Sequence, residues 1–168
     1  VLSSTPTVKG ASRIESHFEK SDKRKWFCPC PKCGAHQVLA WSQVEWPEGN
    51  PELAAVKCAK CFELLTDAER RAMVAAGEWR ATAEFKGVRG YWLNGLNTLM
   101  PAKKGYANRL HQMVAEYIEA KETGEAAMMA WTNTFLAESY EPPSEKIDTA
   151  AIKERAESYG GEDARPVL

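Results

Sequence analysis

The apolar positions of this chain change period once, near residue 105. Before that point, short apolar alternations lie between turn residues; after it, apolar residues recur at helical spacing. Residues 24–29 and 35–41 read as two short strands, and Gln37-Val38-Leu39-Ala40-Trp41 has the apolar content of a half-buried one. Val44-Glu45-Trp46 alternates in the same way. Pro47, Gly49, Asn50 and Pro51 make a loop, and residues 54–57 return as a strand. Thr66-Asp67-Ala68-Glu69 is a capping box that opens a short helix, and Gly77 ends it. Residues 79–81 and 88–93 read as two further strands, and Pro101 closes the β part.

From Tyr106 the pattern is helical. Tyr106, Leu110, Met113, Val114, Tyr117 and Ile118 fall on one face. Gly124 punctuates, and a second helix carries Met128, Trp131 and Phe135 until Pro142-Pro143 stops it. This Met and aromatic stripe reads as core, the face a helix docked on a sheet requires. A third helix is expected over residues 147–159. At the start of the chain, Val1 and Leu2 read as the end of a buried strand, and Ser3 to Thr7 as the polar loop leaving it. Ser12 caps a short helix through Phe18. The fold class is α+β: an antiparallel β module followed by a helical region.

Composition narrows the function classes. The 168 residues are 44% hydrophobic, enough for a core, and net charge is −1, which argues against nucleic-acid binding by bulk charge alone. A local basic run remains at Lys20, Lys23, Arg24 and Lys25, beside Trp26 and Phe27. Cations next to aromatics suit a nucleic-acid backbone and its bases; a solvated turn is the plainer reading. No run approaches the ~18 apolar residues of a membrane span. The chain lacks an initiator Met and stops where an apolar run begins after Pro166, so both ends read as cuts through a longer protein.

The strongest chemical signal lies among five cysteines. Cys30-Pro31-Lys32-Cys33 and Cys58-Ala59-Lys60-Cys61 are two Cys-x-x-Cys pairs with a spacer of 24 residues. Four thiolates so paired make a tetrahedral site for structural zinc. Two buried free-thiol pairs or a redox dithiol are the alternatives, and Cys30 lacks the strand–helix context that a redox motif needs. Cys28 stands too close to Cys30 for the usual knuckle and is left out. His36 is a poor rival to four thiolates. Cysteines paired this way, without a secretion signal, suggest a reducing compartment.

The ordered motifs resemble the large terminase subunit of tailed bacteriophages, in the lambda gpA-like family. The resemblance is carried by Ser4-Thr5-Pro6-Thr7, Ser12-Arg13-Ile14-Glu15, Pro29-Cys30-Pro31-Lys32-Cys33-Gly34 with Cys58 and Cys61, and Gly77-Glu78-Trp79. Leu93-Asn94-Gly95-Leu96, Asn133-Thr134-Phe135-Leu136-Ala137-Glu138 and Arg155-Ala156-Glu157-Ser158-Tyr159 complete it. It covers nearly the whole chain. Ala137 departs from the family, which usually has Gly there; a negative φ would accommodate it.

The resemblance implies a DNA-packaging motor with an N-terminal ATPase and a C-terminal metal-dependent nuclease, and this chain between them. Residues 1–22 would then end the ATPase core, 23–101 form the zinc-ribbon module, and 102–168 form a helical connector into the nuclease. It also implies that Ser4, Thr5 and Thr7 belong to a motif coupling nucleotide state to DNA grip. ATP and Mg would serve the parent; neither catalytic site is complete here. The implied partners are double-stranded viral DNA, a terminase small subunit and the portal of the procapsid, in an oligomeric motor in the host cytoplasm with no membrane. Lys23, Arg24 and Lys25 are the DNA-contact candidates, with Lys103, Lys104 and Arg109 behind them. A stand-alone zinc-ribbon adaptor is the main alternative. A hydrolase using Glu15, His17 or His111 is weak, because no nucleophile–base set is visible.

Overall fold

The computed structural model describes residues 1–142, so the helix expected over 147–159 and the run after Pro166 lie outside the described residues. Among the described residues the architecture is α+β, with two small sheets and four α-helices. Strand β1 (Arg24–Pro29) is the centre of the first sheet. It pairs antiparallel with β2 (His36–Gln37), Cys28 opposite Gln37. It pairs antiparallel with β6 (Glu78–Arg80), Trp26 opposite Trp79. It also pairs parallel with β7 (Tyr91–Trp92), Lys25 opposite Trp92. The second sheet is antiparallel, in the order β3 (Val44–Glu45), β4 (Ala55–Lys57), β5 (Leu64–Leu65).

Helix α1 (Arg13–Glu19) precedes β1, and α2 (Asp67–Ala75) stands between β5 and β6. The capping box is present: Thr66 Oγ1 accepts from the Glu69 N–H, and Glu69 Oε2 accepts from the Thr66 N–H at 2.9 Å. Ser12 occupies the cap position of α1, but its Oγ accepts from the Thr7 N–H at 3.3 Å and so ties the preceding loop to the helix. Helix α3 (Arg109–Thr123) begins three residues later than the apolar face suggested, because the Asn108 side chain caps it through the His111 N–H at 2.8 Å. Helix α4 (Glu125–Trp131) follows after Gly124.

The core joins all these parts. Cys28, Leu39, Val56 and Leu65 from the β part pack with Met73 and Val74 of α2 and with Leu110, Met113 and Val114 of α3. A second cluster holds Ala120, Trp131 and Leu136, with Trp41, Tyr117 and Phe135 packed against it. Trp41 bridges the two, with its ring 4.7 Å from Trp131 and 5.2 Å from Tyr117. The Met and aromatic stripe of the helical region is core, as its period suggested.

Two buried polar residues tie the parts together. Arg70 of α2 is fully buried. Its Nε donates to Asp67 at 2.8 Å, and its Nη1 donates to the carbonyls of Leu96 and Thr98. Asp22 is also fully buried. Burial alone would raise its carboxyl, but the Arg24 guanidinium and the Gly90 N–H outweigh that and hold it below the usual carboxylate range.

Four expectations need correction. Val1 and Leu2 are exposed and form no strand, because none of the described residues pairs with them. The strand expected over 35–41 stops at Gln37: the Leu39 carbonyl is taken by Asn94 Nδ2 at 2.7 Å, and Trp41–Gln43 form a 3-10 turn. The strand expected over 88–93 shortens to Tyr91–Trp92. The fourth concerns the end of α4. The chain leaves it through a π turn, Thr132–Leu136, and Ala137 then takes φ 52°, ψ 38°. The expected negative φ is wrong. Left-handed backbone costs a residue with a Cβ about 1–2 kcal/mol, and Ala137 is held in it by the hydrogen bond from Trp92 Nε1 to its carbonyl, 2.8 Å.

Replacing Ala137 by Gly relieves that strain at about 0.5–1 kcal/mol of added chain entropy. Ala137→Gly should therefore raise stability by roughly 0.5–1 kcal/mol in urea denaturation. A lower midpoint would show that Ala137 is not held left-handed in solution.

Candidate metal centre

Each Cys-x-x-Cys pair forms a tight turn, and the two turns have the same backbone plan. In the first, the Gly34 N–H donates to the Cys30 carbonyl at 2.8 Å and the Cys30 N–H to the Ala35 carbonyl at 2.9 Å. In the second, the Phe62 N–H donates to the Cys58 carbonyl at 3.1 Å and the Cys58 N–H to the Glu63 carbonyl at 2.9 Å. The amides of Lys32 and Lys60 each point at a sulfur, Cys30 Sγ and Cys58 Sγ, both at 3.4 Å. The residue after each pair is left-handed: Gly34 at φ 72° and Phe62 at φ 63°. Gly suits that position, whereas the exposed Phe62 adopts it against its Cβ.

The two turns bring four sulfurs together. Cys30 Sγ is 3.9 Å from Cys61 Sγ, Cys33 Sγ is 3.9 Å from Cys58 Sγ, and all four lie within 4.8 Å of one another. A tetrahedron with metal–sulfur bonds of ~2.3 Å has corners roughly 3.8 Å apart. The donor set therefore fits a tetrahedral soft metal ion such as zinc, with no corner left for water or substrate. None of the five cysteines is in a disulfide.

The electrostatics of the thiols follow from crowding. Burial pushes the Cys30 thiol up. Burial acts the same way on Cys58, but the N–H groups of Cys61 and Lys60 and the neighbouring thiols outweigh it and bring Cys58 down to about 6. At Cys61 the Glu63 N–H favours the thiolate, yet burial and the surrounding sulfurs push it up to about 12. Crowded thiols stabilise one thiolate among them and oppose further ones, which a divalent cation reverses. Cys28 stays outside the cluster. It is fully buried, burial pushes its thiol up to about 11, and its Sγ faces Asn97 Oδ1 at 3.6 Å. His36 is also outside the cluster, exposed and 3.9 Å from Glu78.

Neighbouring elements hold the turns in place. Cys30 follows directly from β1, and Cys58 from β4. Lys32 Nζ reaches Glu69 Oε1 at 2.5 Å, so the first turn is tied to the capping box of α2, and the Lys32 ammonium with the Thr66 N–H and hydroxyl brings the Glu69 carboxyl down to about 2. Gln37 and Gln43 were not singled out by sequence reasoning. Gln37 Nε2 donates to Cys58 Sγ at 3.5 Å, and Gln43 Nε2 donates to Gln37 Oε1 at 2.9 Å. The available signal was a polar side chain at an inward position of a strand next to the knuckle.

The other candidate residues lie elsewhere. Lys23 pairs with Glu19, and Arg24 with Asp22 at 2.8 Å. Lys25 lies over the Trp92 ring, 5.2 Å from its centroid. Arg109 lies over Phe135 at 5.3 Å, and Lys103 pairs with Glu116 at 3.1 Å. Ser4, Thr5 and Thr7 are exposed in a segment without regular secondary structure. That segment is stitched to the far end of the described chain: the Tyr140 N–H donates to the Thr7 carbonyl at 2.8 Å, and Val8 bridges Tyr140 in parallel.

Two family models match the chain in tandem. Residues 1–79 match the phage terminase large subunit gpA, ATPase domain, and residues 88–166 match the terminase large subunit gpA, endonuclease domain. No curated protein and no solved structure matches. The two models describe domains of one subunit, they match in that order along this chain, and the cysteine quartet falls inside the first match. The chain belongs to the phage terminase large subunit gpA family.

Proposed function

We propose that these residues form a zinc-stabilised link between the motor and the nuclease of a DNA-packaging terminase. The observation that carries the reading is the pairing of β1 with β7. Strand β1 belongs to the ATPase-matched segment and β7 to the nuclease-matched one, yet they are neighbours in one sheet. The same core takes Cys28, Val56 and Met73 from the first segment and Leu96, Leu110 and Met113 from the second. The all-sulfur quartet closes at the end of β1, so the metal would stiffen the strand that both segments share. A closed four-thiolate site supplies folding free energy and leaves no open position for chemistry. ATP and Mg belong to the parent's motor and nuclease.

Coupling between the two would run through backbone already in place. The segment carrying Ser4, Thr5 and Thr7 is bonded at Tyr140, just after the Asn133–Glu138 motif. The parent would act on double-stranded viral DNA with a small subunit and portal, as an oligomer in the host cytoplasm. DNA contact by this part would use Lys23, Arg24 and Lys25, and a phosphate arriving there competes with Glu19 and Asp22 for the first two.

Purified protein should contain about one zinc per chain, and acid should release it as the thiolates protonate. The double substitution Cys58→Ser, Cys61→Ser should lose the metal and open the 54–65 stretch, with its buried Ala54, Val56 and Leu65, to protease. Metal retained by that double variant refutes the quartet as the binding site.

Alanine at Lys23, Arg24 and Lys25 together should weaken DNA binding and flatten the plot of log affinity against log salt by about 1–3 units of slope. An unchanged slope removes these residues from the DNA interface.

A further inference from the structure

The two knuckles share a backbone plan, but their sulfurs do not share an environment. Cys30 and Cys58 are equivalent by position, and each receives one knuckle amide, from Lys32 and Lys60. Among the described residues, only Cys58 receives an N–H side-chain donor as well, Gln37 Nε2 at 3.5 Å. The orientation of that amide follows from its neighbours. Gln37 Oε1 faces the Ala59 N–H at 2.8 Å and Gln43 Nε2 at 2.9 Å, both of which are donors. Gln43 is fixed in turn, because its Oε1 accepts from the Ala40 N–H at 2.8 Å and its Nε2 also donates to the Lys57 carbonyl at 3.1 Å. Reversing the Gln37 amide would set donor against donor twice, so its NH2 must face the sulfur. Cys58 is fully buried and Gln37 is 9% exposed, so water does not substitute for this donor.

We infer that Gln37 is a positioning residue for the metal site: its N–H···S bond holds Cys58 as the anchoring thiolate and slows loss of the metal. The inference rests on the quartet binding a metal. A hydrogen bond to a ligating sulfur withdraws charge from it and fixes its lone pair in direction, and outer partners of this kind are worth about 10–100-fold in metal affinity. The Gln43 brace extends the hold to the 3-10 turn and to β4, so the metal is connected to the hairpin it closes.

The test is metal binding by the full chain. Gln37→Glu keeps an oxygen for Ala59 and Gln43 but replaces the donor facing sulfur by an acceptor. Its zinc affinity, from chelator competition, should fall by about 10–100-fold. With cobalt in place of zinc, its sulfur-to-metal charge-transfer band should move to lower energy. Gln37→Met removes the donor without adding charge, and its cobalt band should move the same way. Wild-type affinity in Gln37→Glu overturns the inference. So does a cobalt band that stays put in both variants, because a purely structural side chain would leave the sulfur's electrons unchanged. Failure of the metal reading itself looks different: the unaltered chain would take up neither ion, or Cys58→Ser would bind as well as it does.

Discussion

The strands of this fold are too short to stand on their own pairing, and the convergence of four sulfurs is the constraint that lets them. β2, β3, β5 and β7 have two residues each, and β4 and β6 have three. Isolated ladders of that length are not stable in water. Residues 30 and 58 are brought together by the two knuckles, and each knuckle continues a strand of a different sheet. Closing the quartet therefore sets β1 and β4 relative to one another, and their small partners follow. Without a cation the cluster favours one thiolate, at Cys58, and opposes ionisation at Cys30 and Cys61. A divalent ion turns that repulsion into the strongest local attraction.

Two buried polar residues take over where the sulfurs stop. Arg70 connects α2 to the turn at Gly95–Asn97, and Asp22 connects the loop after α1 to Arg24 and Gly90. Each spans positions far apart in sequence and replaces hydrophobic burial that so small a β part lacks. Breaking either would leave an uncompensated charge in the interior, which is why such residues resist substitution more than their number of contacts suggests.

The quartet, the capping box at Thr66 and the helical face Leu110-Met113-Val114 were legible in the sequence because each is a local pattern with one physical meaning. What was not legible depends on partners distant in the chain. The strand after Gly34 reads as seven residues long, but Asn94 claims the Leu39 carbonyl from 55 residues away and ends it early. Nothing near Arg70 in the sequence announces the carbonyls of Leu96 and Thr98 that its buried guanidinium meets. Ala137 reads as a tolerable departure from Gly, whereas its left-handed φ is set by Trp92 at the far edge of the first sheet. Gln37 reads as a polar residue in a strand, and only the folded knuckle reveals that a sulfur lies opposite it.

Among the described residues, three of the stretches that carried the family resemblance meet in space, and that bears on how the link would work. Leu93-Asn94-Gly95-Leu96 and Asn133–Glu138 are separated by a helical hairpin, yet a Cβ on Gly95 would lie 2.8 Å from the Phe135 ring, so the turn and the end of α4 fit only with Gly there. Trp92 Nε1 bonds Ala137, and Asn94 bonds Leu39 in the β part. Residues 8–9 then pair at Tyr140, a few residues past the same motif. These contacts form a continuous path of backbone and hydrogen bonds from residues 7–9 through Tyr140 and Ala137 to Trp92, whose strand pairs with β1. None of these contacts requires a hinge between the matched ATPase and nuclease segments. They make the two matched segments hydrogen-bonded neighbours at β1 and β7, although the stretch between the matches, 80–87, is exposed and mostly irregular.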